Sequence, residues 1–157
     1  MTQRRKLFPS SEELLIWRDF IETTEALRSE LASRLQTDSS LSPGDYAVLL
    51  GLREADGNRL RPSALAARIG WQRSRLSHQI GRMERRGLIR REECPTDSRG
   101  AEVVLTPEGA EAFRGASLPH LRAVRELFVD PLTRDQLAAA EQIAATLRTR
   151  LDAMGGI

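Results

Sequence analysis

The stretch between Pro62 and Pro107 constrains this chain most, because its local signals change several times in quick succession. Pro62-Ser63 opens a short helix carrying Leu65, Ala66 and Ile69, and Gly70 supplies a turn. A second helix runs from about Gln72 to Arg86, with Leu76, Ile80 and Met83 as its only large apolar residues, and Gly87 stops it. Leu88-Ile89-Arg90-Arg91 reads as a strand, Pro95-Thr96-Asp97-Ser98-Arg99-Gly100 as a loop, and Glu102-Val103-Val104-Leu105 as a returning strand. Leu60 and Arg61 are compatible with a very short strand ahead of all this. The centre of the chain is thus a helix-turn-helix followed by a two-stranded hairpin with a basic tip.

Longer helices flank it. Ser10 and Glu13 have capping-box spacing, and Leu14, Trp17, Ile21, Thr24, Leu27, Leu31 and Leu35 follow at steps of three or four, so a helix of about six turns is predicted. Thr37-Asp38-Ser39-Ser40 breaks it. Ser42-Pro43 starts a second helix through Tyr46, Leu49, Leu50 and Leu52, which Asp56-Gly57 stops. Thr106-Pro107-Glu108 is another start, leading to Phe113, Leu118, Leu121, Val124, Leu127 and Phe128 with a kink expected at Pro119. Beyond Pro131, Thr133 and Gln136 repeat the capping pattern, and Leu137, Ala140, Ala144, Leu147, Leu151 and Met154 form the most regular seam in the chain. Either that seam faces a second subunit, or it packs on the first helix of its own chain. The expected organisation is an N-terminal helix over 1–41, a central unit over 42–109 and closing helices over 110–157.

Composition excludes several classes. At 157 residues, 40% hydrophobic and 29% charged, the chain has a globular composition. It holds no apolar run long enough for a membrane span and no signal-like segment behind Arg4-Arg5-Lys6, so no membrane partner and a cytoplasmic location are expected. One cysteine, Cys94, and two histidines leave little for a disulfide framework or a metal site. No metal, cofactor or catalytic group is therefore expected. Ser77 and His78 are sequence neighbours pointing about 100° apart on a helix, which is no nucleophile–base pair, and no phosphate-cradling glycine loop occurs.

The net charge of +2 conceals a segregation. Residues 59–100 carry eleven arginines against Glu84, Glu92, Glu93 and Asp97, a balance of +7, which leaves −5 for the remainder. Such a segment is either an arginine-rich solvated surface or the part that meets a polyanion. The helix over 72–86 favours the second. Its apolar stripe leaves Ser74, His78, Gly81 and Arg85 on the opposite face, flanked by Arg75, Ser77 and Arg82, with Gln72 and Arg73 at its N-terminus. A neutral solvated helix would mix Glu with Arg, whereas Glu84 is the only acid here. Arg pairs bidentately with guanine, Ser and His bond base edges or phosphates, and a helix N-terminus favours phosphate. Ser63, at the start of the preceding helix, joins this set, and Arg99 at the hairpin tip is suited to a minor groove.

Leu65-Ala66-Ala67-Arg68-Ile69-Gly70, Ser74-Arg75-Leu76-Ser77, Gly87-Leu88-Ile89-Arg90-Arg91, and Asp97-Ser98-Arg99 leading to Val104-Leu105-Thr106-Pro107-Glu108-Gly109 together resemble the winged helix-turn-helix of MarR-type transcriptional regulators. The Asp-x-Arg wing followed by Leu-Thr-x-x-Gly is the specific part, and the flanking helices extend the likeness along most of the chain. The resemblance implies a mainly α fold with a two-stranded β-wing, and a homodimer built by interlocking N- and C-terminal helices. It also implies a pseudo-palindromic operator on double-stranded DNA, ligand-responsive repression, and a small aromatic or anionic effector bound between the dimerisation helices and the winged unit. Trp17, Tyr46 and His120 are the candidate linings, with Arg53 or Arg125 for a carboxylate. A urate-responsive branch also has a first-helix Trp, but its pocket acid finds no match. Peroxide-sensing members carry the reactive cysteine in the first helix, where this chain has none. Cys94 lies between arginines that lower a thiol pKa and glutamates that raise it. The alternative is a winged helix serving as a protein-interaction or architectural module without small-molecule sensing, a role that would favour apolar residues on the exposed helix face.

Overall fold

A computed structural model of the chain describes residues 7–94 and 97–154, and the side chains of 94–99 lie outside what it describes. The elements in order are α1 (Ser11–Ser39), α2 (Pro43–Arg53), a 3-10 turn (Asp56–Asn58), β1 (Arg59–Leu60), α3 (Pro62–Ile69), α4 (Arg73–Arg85), β2 (Ile89–Cys94) and β3 (Asp97–Leu105). After them come α5 (Pro107–Val124), a π turn (Arg125–Val129) and α6 (Arg134–Asp152). The chain is mainly α, as the periodicities predict.

Local chemistry sets the helix boundaries. Ser10 with Glu13, Ser42 with Asp45 and Thr133 with Gln136 each close a reciprocal capping box at the start of α1, α2 and α6. Gly70 at φ 67° turns the chain from α3 into α4, a conformation that costs a side-chain-bearing residue far more.

The sheet is larger than the hairpin expected from the sequence. Arg59 and Leu60 pair with Val104 and Val103, so β1 forms an edge and the antiparallel order is β1-β3-β2. The short strand is one residue earlier than Leu60-Arg61 suggests. Of the stretch read as a loop, residues 97–100 need correction, because β3 already begins at Asp97, and 95–96 lie outside the described residues. Turn-forming residue types mislead there because main-chain pairing, continuous from Ile89↔Leu105 to Glu93↔Ala101, carries the extended backbone outward whatever the side chains prefer.

The core is centred on the central unit and reaches Leu35 of α1 and Ala116 of α5. Val48, Leu49 and Leu52 of α2, Leu65 of α3, Leu76, Ile80 and Met83 of α4, Ile89 and Val103 of the sheet, and Ala116 of α5 are all buried. The stripe expected on the fourth helix is the stripe that packs. α5 stays helical through Pro119, and the departure from α geometry comes further along, in the π turn. α1 packs along α5, and Arg34 reaches Glu126 of the π turn at 2.9 Å. α6 contributes nothing to this core: none of its residues is buried, so packing on the chain's own first helix does not account for its seam.

Candidate nucleic-acid interface

With Leu76, Ile80 and Met83 turned inward, α4 presents Ser74, Arg75, Ser77, His78, Arg82 and Arg85 to solvent. Gln72 is its N-cap residue but makes no side-chain capping bond, so the first backbone N–H groups are not covered by that amide. Ser63 at the start of α3 and Arg73 and Ser77 of α4 line one groove of about 460 Å³, which Arg61 and Arg91 also border. Three residues singled out from sequence therefore share one concave surface between the helix-turn-helix and the sheet. Arg99 cannot be added to it from geometry, since its side chain falls outside the described part, as does that of Cys94.

The arginine excess separates into two populations. Arg59 bridges Glu92 at 2.5 Å and Glu102 at 3.3 Å, Arg90 meets Glu92 at 2.5 Å, and Arg91 approaches Glu84 at 3.6 Å. The two Arg59 pairs tie the three strands together, and the Glu92 carboxyl is held below its usual range first by Arg90, its neighbour within β2, and then by Arg59. Arg86 is committed to the buried Asp45 carboxylate at 2.7 Å. By contrast, among the described residues no carboxylate pairs with Arg73, Arg75, Arg82 or Arg85. Four arginines of α4 thus keep their charge available, whereas Arg59, Arg90 and Arg91 of the sheet are paired with carboxylates.

Two residues that sequence reasoning passed over support this face. The Arg75 guanidinium lies 4.0 Å from the centre of the Trp71 ring, within cation–π range. Gln79, 4% exposed, donates to Asp45 at 2.7 Å and accepts from Arg82. A polar residue on the buried side of a basic helix was the available signal.

The candidate effector residues are only partly assembled. The Tyr46 and His120 rings are 4.7 Å apart, and Phe113 continues the cluster at 5.2 Å from Tyr46. Trp17 lies near the start of α1, 60% exposed and outside that cluster. Arg53 donates to Asn58 and Arg125 bridges Asp130, each with a local partner. The His120 Nδ1 is buried without a hydrogen-bond partner in the chain, and burial lowers this histidine's pKa from 6.5. The unfolded chain then takes up a proton near pH 6.5 that the folded chain resists, so stability should decline as pH falls below that value. Urea midpoints on either side of it should diverge for the wild type and converge for His120→Phe; equal pH slopes in both would acquit His120.

Among the described residues no helix is long and apolar enough to cross a membrane, and no cluster of His, Cys, Asp and Glu is arranged to hold a metal. A helix-turn-helix whose second helix is backed by a core and flanked by a β-hairpin defines a winged helix-turn-helix protein. The MarR family model matches residues 39–100. The transcriptional regulator HosA of Escherichia coli O157:H7 is 30% identical over 136 residues, spanning 87% of this chain and 90% of HosA. The transcriptional repressor MprA of Escherichia coli strain K12 is 30% identical over 69% of this chain, but the matched stretch spans only 61% of MprA. Sco3205, a MarR family transcriptional regulator from Streptomyces coelicolor solved in complex with DNA, superposes with a TM-score of 0.87 at 37% identity, covering 93% of this chain and 92% of its own. The chain belongs to the MarR family.

Proposed function

We propose that this chain is a DNA-binding transcriptional regulator, a repressor, that acts in the cytoplasm as a homodimer and works by binding rather than catalysis. The observation that carries this reading is the outward face of α4, where four arginines with no acid partner among the described residues stand beside Ser74, Ser77 and His78. Kinship with regulators, one of them solved on DNA, supports it. In this reading Arg75, His78 and Arg82 reach base edges in the major groove, Ser63, Gln72, Arg73, Ser74 and Ser77 contact phosphates or base edges, and Arg99 enters the adjoining minor groove.

The dimer is proposed to form through the outer helices, with 1–41 and 110–157 as dimerisation segments around a DNA-binding unit at 42–109. Leu14, Trp17, Ile21, Leu147, Leu151 and Met154 are 44–68% exposed in the single chain, and a second copy is the occupant that a self-complementary, two-fold surface calls for. Two-fold symmetry sets the α4 helices about 34 Å apart, one turn of DNA. A small aromatic or anionic effector is proposed to bind near the paired rings of Tyr46 and His120, with Trp17 as the third lining residue.

The test is binding to the DNA upstream of the chain's own gene, against competitor duplex and over a range of salt. Affinity should fall with a logarithmic slope of about −0.9 per phosphate neutralised. Arg75→Ala or His78→Ala should lose roughly 1–3 kcal/mol on the preferred site and much less on random duplex. Arg99→Ala should weaken binding chiefly where the flanks are A/T-rich. Equal affinity of the wild type for operator and random duplex would remove the regulator reading and leave the interaction module.

A further inference from the structure

An exposed arginine reads bases only if its guanidinium is presented in a narrow range of geometries, and on α4 two of them are held from behind. The buried Asp45 carboxylate accepts from the Ser42 N–H at 2.9 Å, from Arg86 at 2.7 Å and from the Gln79 side chain at 2.7 Å. A carboxylate only accepts, so the Gln79 amide nitrogen must face Asp45 and its carbonyl must face away. That carbonyl takes the hydrogen bond from Arg82. A second support stands beside it: the Trp71 ring underlies Arg75. Both supports rest on one turn of α2, because a Cβ at Gly44 would lie 3.1 Å from the Gln79 Oε1 and 3.2 Å from the Trp71 Cη2.

We propose that Trp71 and Gln79 are specificity-determining positioning residues, which lean on the Gly44-Asp45 turn and preset the guanidinium groups of Arg75 and Arg82 for contact with base edges. The proposal rests on the DNA-reading role of α4. A long side chain already held in its bound geometry loses less rotamer freedom on binding, and Arg gains more than Lys because its planar fork is directional. An arginine set loose still neutralises a phosphate but no longer selects a base. Removing the supports should therefore cost discrimination and spare general affinity.

The experiment uses the full chain, a duplex that the wild type selects from a random-sequence pool, and the pool itself. Gln79→Met keeps length and helix propensity but removes both hydrogen bonds; it should lower the ratio of selected to pool affinity about tenfold, with pool affinity and salt slope unchanged. Trp71→Leu should do the same, and Trp71→Phe, which retains an aromatic face, should restore most of the ratio. In an Arg82→Ala background Gln79→Met should change the ratio no further, and in an Arg75→Ala background neither should Trp71→Leu. Equal losses on both DNAs, or an undiminished effect in those backgrounds, would overturn the proposal by reducing the two residues to general scaffolding. Should circular dichroism find Gln79→Met unfolded, the Trp71→Leu and Trp71→Phe pair decides. A wild type that selects no duplex would instead overturn the DNA reading, and this inference with it.

Discussion

Leu147→Arg combined with Leu151→Arg should turn the proposed dimer into a folded monomer. The two leucines are 51% and 47% exposed in the single chain, so about half of each remains for a partner to cover. Half of the free energy of burying a leucine is about 1 kcal/mol, and four such side chains in a two-fold dimer give about 4 kcal/mol before the cost of burying guanidinium groups. The dimer dissociation constant should therefore rise by roughly three orders of magnitude. Folding should survive, because no residue of α6 is buried in its own chain and the core closes without it. Light scattering gives the mass and far-ultraviolet dichroism the helix content. A dimer of unchanged mass would refute the seam, and a monomer should also lose most of its affinity for a two-half-site duplex, which needs both α4 helices at once.

Gly109→Ala should be among the most destabilising single substitutions in the chain. A Cβ at this position would stand 1.9 Å from the Leu88 carbonyl oxygen and 2.9 Å from its carbon, and a backbone atom cannot rotate aside as a flexible side chain can. The contact is close because the start of α5 is bound to the start of the wing. Thr106 caps α5 by accepting from the Gly109 N–H at 2.9 Å, its hydroxyl donates to the Gly87 carbonyl at 2.7 Å, and its N–H donates to the Leu88 carbonyl at 3.3 Å. Relief requires α5 to lift away from β2, disturbing these bonds together. Overpacking of this kind costs about 3 kcal/mol or more, and for a chain of this size the calorimetric Tm should drop by roughly 6–12 °C. Gly115→Ala is the control: nothing lies within 4 Å of its Cβ, and an α-helical alanine should gain about 0.5–1 kcal/mol. Equal melting temperatures for wild type and Gly109→Ala would contradict this packing.

The same position explains why the Leu-Thr-x-x-Gly motif is informative. Leu105 is core, Thr106 is the cap, and Gly109 is the point where a helix meets a strand's carbonyl. From sequence the threonine and proline could be read as a helix start, because capping is a contact with the next turn. The glycine's reason could not, because its partner Leu88 lies on another element. The wing is similar. Ile89 to Arg91 and Val103 to Leu105 have strand-like residues, but the polar run from Asp97 to Gly100 also belongs to β3, although regular pairing with β2 reaches only to Glu93 and Ala101 before the register shifts. In the effector region, helical spacing put Trp17, Tyr46 and His120 on suitable helices, yet only Tyr46 and His120 meet within the chain.

By itself the sequence determined the succession of elements, their caps and stops, the inward stripe of α4 and the basic centre of the chain. Each of these follows from residues within a turn or two of one another, where spacing and local hydrogen bonding suffice. Only the tertiary structure decided which arginines keep their charge available and which side chains hold them. Arg59 is neutralised by Glu102, 43 positions away, and Gln79 is anchored by Asp45, 34 positions away. It also decided that α6 is left without buried residues and that Gly109 has no room for a methyl group. Those outcomes depend on which surfaces the fold brings into contact, and contacts across such separations leave no period or spacing in the sequence to read.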